Sequence, residues 1–320
     1  MMMGRCTQAR RGAGRNAAFF LLLAAALGLA LVWPNEKKPV QTGRDGYLLS
    51  SGAPGLAGRA AVLPRQTLLQ GTLLLVDPGH PLPEDFPVPN TRAIRAMVGS
   101  YLPALEDVAL WREAVYALCE MQVERPLEEG VTLSRGTLSP AQQETWRREA
   151  FARYLNVYPL SQALEKAQAA VPGGNESEHQ TGYALDLEMT GVLRLSQADP
   201  LIRNDTGMWL AENMWRYGWI RRYGPDSQAE GACENVHLRY VGKVHAAAMH
   251  ALSLDLEDYL TLLSLQGAMT VYRDNEPWAY LYALPCGGDL ALPLPTDTEY
   301  QASLDNRGYA ILAVAANGKF

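Results

Sequence analysis

The chain has 320 residues, 48% of them hydrophobic and 19% charged, enough to bury one large core or one core with a smaller companion. Its net charge of -6 gives no basic footprint for a phosphate backbone, so nucleic acid is excluded as the expected partner. The four cysteines, Cys6, Cys119, Cys233 and Cys286, form no C-x-x-C pair, and neither a thiolate zinc site nor a dense disulfide framework is expected.

Arg5, Arg10, Arg11 and Arg15 precede an uncharged apolar run from Ala17 to Trp33. Positive charge stays cytoplasmic, so this order predicts a basic cytoplasmic segment over 1–16, a transmembrane signal anchor over 17–33 and an outward-facing remainder. A cleaved signal is the alternative, but bulky Leu31, Val32 and Trp33 stand where a small-x-small cleavage site would fall. Residues 34–68, rich in Gly, Pro, Ser and small side chains without sustained periodicity, predict a flexible linker.

A main domain is expected over 69–262. It opens with an apolar strand, Thr72 to Val76, and a turn-rich stretch around His80, Pro81, Pro83 and Pro87. Leu105, Val108, Trp111, Val115 and Leu118 recur at helical spacing and predict a helix from Pro103 to Val123, stopped by Arg125-Pro126. Ser139-Pro140-Ala141-Gln142 reads as a capping box that starts a second helix running to about Tyr154. Further helices are predicted over Gly207 to Tyr217, ended by Gly218, and over Val244 to Leu252. Beyond 262, short runs at Met269 to Tyr272, Trp278 to Leu284, Leu290 to Leu294 and Tyr309 to Val314 predict a small β-rich appendage over 263–320.

The chemistry concentrates in Ser177-Glu178-His179-Gln180-Thr181-Gly182-Tyr183-Ala184-Leu185-Asp186 and in Glu234-Asn235-Val236-His237-Leu238-Arg239-Tyr240. Two imidazoles and a carboxylate, His179, His237 and Asp186, are a sound ligand set for zinc, and Glu234 supplies a separate carboxylate placed to act as a general base. Spacing by itself is a weak signal, because H-x6-D and E-x-x-H are common. His80, His245 and His250 read as structural or surface residues.

The wider pattern resembles the VanY-type D-alanyl-D-alanine carboxypeptidases, marked by S-x-H-x-x-G-x-A-x-D and, about fifty residues later, by E-x-W-H-x-R-Y. Ser177, His179, Gly182, Ala184 and Asp186 match the first motif, and Glu234, His237, Arg239 and Tyr240 the second, with Val236 replacing the tryptophan. The resemblance extends through His80-Pro81-Leu82-Pro83, Trp209 to Asn213, Tyr217 to Ile220 and Leu256 to Leu260. It implies an α+β fold with an antiparallel sheet and helices on one side, shared with the signalling domain of hedgehog proteins. It also implies a Zn2+ enzyme acting on peptidoglycan stem peptides, and the anchor predicted above would place it at the bacterial cytoplasmic membrane with its catalytic domain outside. Removal of terminal D-Ala is the leading expectation. An L,D-carboxypeptidase acting on tetrapeptide stems and a non-catalytic wall-binding or sensor module remain alternatives.

The resemblance places substrate contacts at Ser177 and Gln142 and departs from the family at one cation. Where relatives read S-G-Y-R-S-x-x-x-Q, this chain reads Ser134-Arg135-Gly136-Thr137-Leu138-Ser139-Pro140-Ala141-Gln142, so Thr137 replaces the arginine. Arg135, two positions earlier, is expected to take over recognition of the substrate carboxylate or the oxyanion, with Arg239 or another cation as the alternative.

Overall fold

Two antiparallel sheets organise the chain in the computed structural model, which describes residues 42–127, 130–189, 199–224 and 236–320. A four-stranded sheet has the order Val131–Arg135, Ala184–Met189, Val236–Tyr240, Trp219–Arg221. Its central strands alternate sharply. Leu185 stands opposite Leu238 and Leu187 opposite Val236, and these apolar pairs enter a core with Leu133 and with Val115 and Leu118 of the helix Arg112–Glu124. Successive side chains on a strand point to opposite faces, so Ala184, Asp186, His237 and Arg239 share the other face. That face carries the polar site.

The second sheet has six strands in the order Thr42–Arg44, Tyr47–Ser51, Ala268–Arg273, Glu276–Pro285, Tyr309–Ala315, Tyr300–Leu304. One of its faces packs on the helices Lys243–Leu252 and Leu256–Gln266 through Leu49, Met269, Val271 and Leu281. The opposite face is covered by Leu68, Leu74, Val76 and the two-stranded pair Arg59–Leu63 with Leu290–Leu294.

These pairings correct the expected linker and appendage. Residues 42–63 are not a tether: Tyr47–Ser51 pairs with Ala268–Arg273, and Leu49 is fully buried. Sheet partners more than 200 residues away satisfy backbone groups that short, Gly-interrupted strands cannot satisfy locally. The β-rich region is therefore completed by the beginning of the chain, and the expected boundary at 262 falls inside the helix Leu256–Gln266.

The expected strand Thr72 to Val76 is not a strand, although Leu73 to Val76 are buried. Its backbone is satisfied by side chains instead: Ser303 Oγ accepts from Leu73 N–H, Asn306 Nδ2 donates to Leu75 O, and Arg239 Nη2 donates to Thr72 O and Leu74 O. The helix expected from Pro103 begins only at Arg112, because Pro103 O and Leu105 N–H bond to Leu133 and Ala109–Leu110 pairs with Arg92–Ala93. The helix Pro140–Leu155 follows its capping box as expected, and Asp205–Asn213 runs on through a tighter turn to Gly218 in the left-handed region. The helix Leu160–Ala170 and the strand Tyr300–Leu304 have no counterpart in the sequence reading. The expected anchor over 17–33 lies outside the described residues; among those described, no helix is long and apolar enough to cross a membrane.

Candidate metal centre and active site

His179 sits on a tight turn, Glu178–Thr181, that leads into the strand Ala184–Met189. Ser177 caps the turn by accepting from His179 N–H, and Gly182 closes it at φ +82°, a conformation that L side chains rarely adopt. A Cβ there would lie 2.6 Å from Thr91 Cγ2 and 2.7 Å from Trp111 Cδ1, so this glycine of the first motif is a steric requirement. Asp186 follows on the strand and stands directly opposite His237. Sheet register, not proximity in sequence, joins the two motifs.

The three expected ligands are brought together and fully buried, with candidate ligand atoms all within 4.8 Å of one another. Asp186 Oδ1 lies 2.7 Å from His237 Nδ1 and 3.3 Å from His179 Nε2. The latter contact lacks hydrogen-bond geometry and leaves Nε2 an orphaned buried nitrogen. Its other ring nitrogen is occupied, since Nδ1 stands 2.7 Å from Gly136 O. The close approach depends on Gly136, where a Cβ would fall 2.4 Å from Ala109 O. Ligand atoms around tetrahedral zinc, with bonds of about 2.0–2.1 Å, stand roughly 3.3 Å apart. A free imidazole nitrogen held at that distance from a carboxylate oxygen, with a second imidazole beside it, fits such an ion.

The charges around the cluster are balanced by three arginines. Burial disfavours the Asp186 carboxylate, but the imidazoles of His179 and His237 beside it outweigh that and hold its carboxyl well below the usual range. Burial likewise disfavours charged His237, yet its bonds to Asp186 and Glu178 push the ring up to about 10. Glu178, also buried, stays ionised because Arg222 and Arg239 lie near and His237 donates to it. Arg135 donates from Nη1 to Asp186 Oδ2 at 2.8 Å and lies over the Trp146 ring, 3.6 Å from its centroid. About a quarter of its side chain, 27%, remains exposed.

The other expected site residues divide. Ser177 is buried and caps the ligand turn, while Gln142 Oε1 accepts from Ser139 N–H and Oγ in the capping box. Arg239, the alternative cation, is fully buried against Thr72 O and Leu74 O and holds the buried 72–76 segment. Glu234, the expected base, lies outside the described residues. Glu178, Arg222 and Trp146 are additions that the sequence reading did not single out. Only Glu178 carried a signal, as the variable position inside S-x-H.

Fold and cluster together define an α+β domain whose small antiparallel sheet presents a buried His-Asp-His cluster with the donor set of a metal site. Residues 138–243 match the VanY family of D-alanyl-D-alanine carboxypeptidases, a span that includes both motifs. A D-alanyl-D-alanine carboxypeptidase of Enterococcus faecalis (strain ATCC 700802 / V583) is 31% identical over 199 residues, 59% of this chain and 65% of that protein. One of Enterococcus faecium is 32% identical over 150 residues, 46% of each. The chain thus spans between about half and two thirds of these relatives. The vancomycin-resistance D,D-dipeptidase VanXYg, solved with a D-Ala-D-Ala phosphinate analogue, shares the fold with a TM-score of 0.64 at 18% identity, over 80% of this chain and 98% of that one.

Proposed function

We propose that this protein is a zinc-dependent D-alanyl-D-alanine carboxypeptidase that removes terminal D-Ala from peptidoglycan stem peptides. The observation that carries the reading is the buried His179, Asp186 and His237 cluster within the VanY-matched residues, with an orphaned imidazole nitrogen aimed at its centre. The activity named for the two enterococcal relatives supports the substrate class.

Held by these three residues, zinc would supply Lewis acidity toward the scissile carbonyl and toward water. The protein's own groups do the rest. Asp186 and the two rings are fixed before substrate arrives by Arg135, Gly136 O and Glu178, so little reorganisation is needed. Glu234, two residues before the strand that delivers His237, is assigned the base: its carboxylate takes a proton from the attacking water and returns it to the departing amine nitrogen. Arg135 is assigned the free carboxylate of the substrate or the developing oxyanion, since its partly exposed guanidinium lies beside the cluster and the family arginine is absent.

The test is to incubate the purified protein with pentapeptide and tetrapeptide stems, with and without a zinc chelator, and to identify products by mass. Loss of one D-Ala from the pentapeptide, abolished by chelation and restored by zinc, is expected. Cleavage of the tetrapeptide only would move the assignment to L,D-carboxypeptidase, and binding without cleavage would make the chain a wall-binding module. We also place the enzyme outside the bacterial cytoplasmic membrane, held by residues 17–33, on the strength of the arginines before that apolar run. Fractionation with membranes in high salt is expected; a mature form beginning near Pro34 would overturn it.

A further inference from the structure

We propose that Glu178 is a positioning residue for His237, selecting the ring nitrogen that faces the metal, and that Arg222 and Arg239 hold it there. The inference rests on the metal reading above. Glu178 is 1% exposed, and its two oxygens are divided between opposite duties. Oε2 lies 3.1 Å from His237 Nε2. Oε1 accepts from Arg222 Nε at 2.8 Å and has Arg239 Nη1 at 3.8 Å.

An imidazole that binds a metal through one nitrogen must carry its proton on the other, and whatever accepts that proton fixes both tautomer and ring plane. The two histidines meet this requirement in opposite senses. His179 turns Nδ1 to Gly136 O and leaves Nε2 for the cluster, whereas His237 turns Nε2 to Glu178 and leaves Nδ1 facing Asp186. A carboxylate is a stronger acceptor than a backbone carbonyl, so His237 has the firmer hold. Tyr223 stacks against the same ring, with centroids 5.5 Å apart and 22° between planes, which limits its rotation.

A buried carboxylate needs compensation, and Arg222 supplies it while reaching further. Its Nε serves Glu178, and Nη1 and Nη2 bond to the two oxygens of Glu257 at 3.0 and 2.8 Å. Glu257 lies in the first turn of the helix Leu256–Gln266, which packs on the six-stranded sheet. The chain His237–Glu178–Arg222–Glu257 therefore ties the orientation of one metal ligand to the second core of the protein.

A purely structural Glu178, present only to neutralise two buried arginines, makes a different prediction. Glu178→Gln would then lower stability but leave the zinc affinity of folded molecules unchanged. The positioning role predicts that E178Q, folded by circular dichroism, binds zinc about 10–100-fold more weakly in chelator competition, the range typical of such outer partners. It also predicts, from imidazole 15N shifts of zinc-loaded wild type, a slowly exchanging proton on Nε2 of His237. This second measurement needs no variant and stands if E178Q does not fold. Wild-type zinc affinity in folded E178Q, or a His237 proton on Nδ1, would overturn the proposal. Wild type that binds no zinc would overturn the metal reading and this inference together.

Discussion

Asp186 and His237, 51 residues apart in sequence, occupy paired positions on adjacent antiparallel strands, with 2.7 Å between Oδ1 and Nδ1. The register sets this distance. A slip of one residue would turn His237 into the apolar core and bring Leu238 to the polar face, so the sheet that folds the domain also assembles the cluster. The neighbouring turn adds His179 at 3.3 Å from the same carboxylate oxygen.

Replacement of His179 or His237 by Ala should therefore remove the metal, not merely slow turnover. Each residue supplies one of three clustered donors, so zinc affinity should fall by more than the 10–100-fold or so expected for outer partners. Metal analysis after dialysis, set beside activity, is the check. Stoichiometric tightly held zinc in either variant would exclude that histidine as a ligand.

Glu234→Gln should separate metal binding from chemistry. The amide neither takes nor returns a proton, so turnover should drop by about 100–10,000-fold. Zinc content should stay at one per chain. Wild-type turnover in this variant would end the assignment of Glu234 as base.

His245 offers a pH-dependent readout away from the His-Asp-His cluster. It is 2% exposed, its Nδ1 lies 2.8 Å from the Tyr259 hydroxyl, and burial lowers its pKa from 6.5 to about 3. The unfolded chain then binds a proton that the folded protein does not, across the window between those values. Its contribution to stability is fully present above about 6.5 and is lost as pH falls, with a limiting slope of about 1.4 kcal/mol per pH unit. Thermal unfolding of chelator-treated protein between pH 7 and 5 should show a steeper loss in wild type than in His245→Asn. Parallel pH profiles would show that His245 is not buried neutral.

How much of this was legible in the sequence depended on where each residue's partner lies. His179, Gly182, Ala184 and Asp186 belong to one short motif whose turn and strand are local, and Ser139 and Gln142 make their capping box within one helical turn. Glu178, by contrast, meets Arg222 and His237 across 44 and 59 residues, so its role is set by packing that periodicity does not encode. The same reason applies to residues 42–63. Their strands are short and interrupted by glycine and proline, and Tyr47–Ser51 and Arg59–Leu63 find sheet partners only among residues 268–294 and the short edge strand Thr42–Arg44. Thr72 to Val76 is legible as apolar but not in form, because arginine, serine and asparagine side chains replace the ladder a strand would need.

Arg135 carries the prediction with most at stake for specificity. A carboxypeptidase must pair the free carboxylate of its substrate, and leaving that charge unpaired in a partly dry cleft costs more than most single contacts. The family arginine is replaced by Thr137, whose hydroxyl donates to Ala109 O, and Arg239 is buried under the 72–76 segment. Among the three arginines at the cluster, Arg222 is committed to Glu178 and Glu257, which leaves Arg135. Its guanidinium lies over Trp146 with Nη1 on Asp186 Oδ2, and 27% of its side chain remains exposed. Lysine has neither the planar fork nor the stacking face, so Arg135→Lys should recover only part of what Arg135→Ala loses. Turnover of a free-acid peptide beside its C-terminal amide measures the effect: Ala should lose the preference for the free acid, and Lys should restore it incompletely. If Ala keeps wild-type turnover and preference, Arg135 serves only to brace Asp186, and the substrate carboxylate is bound elsewhere.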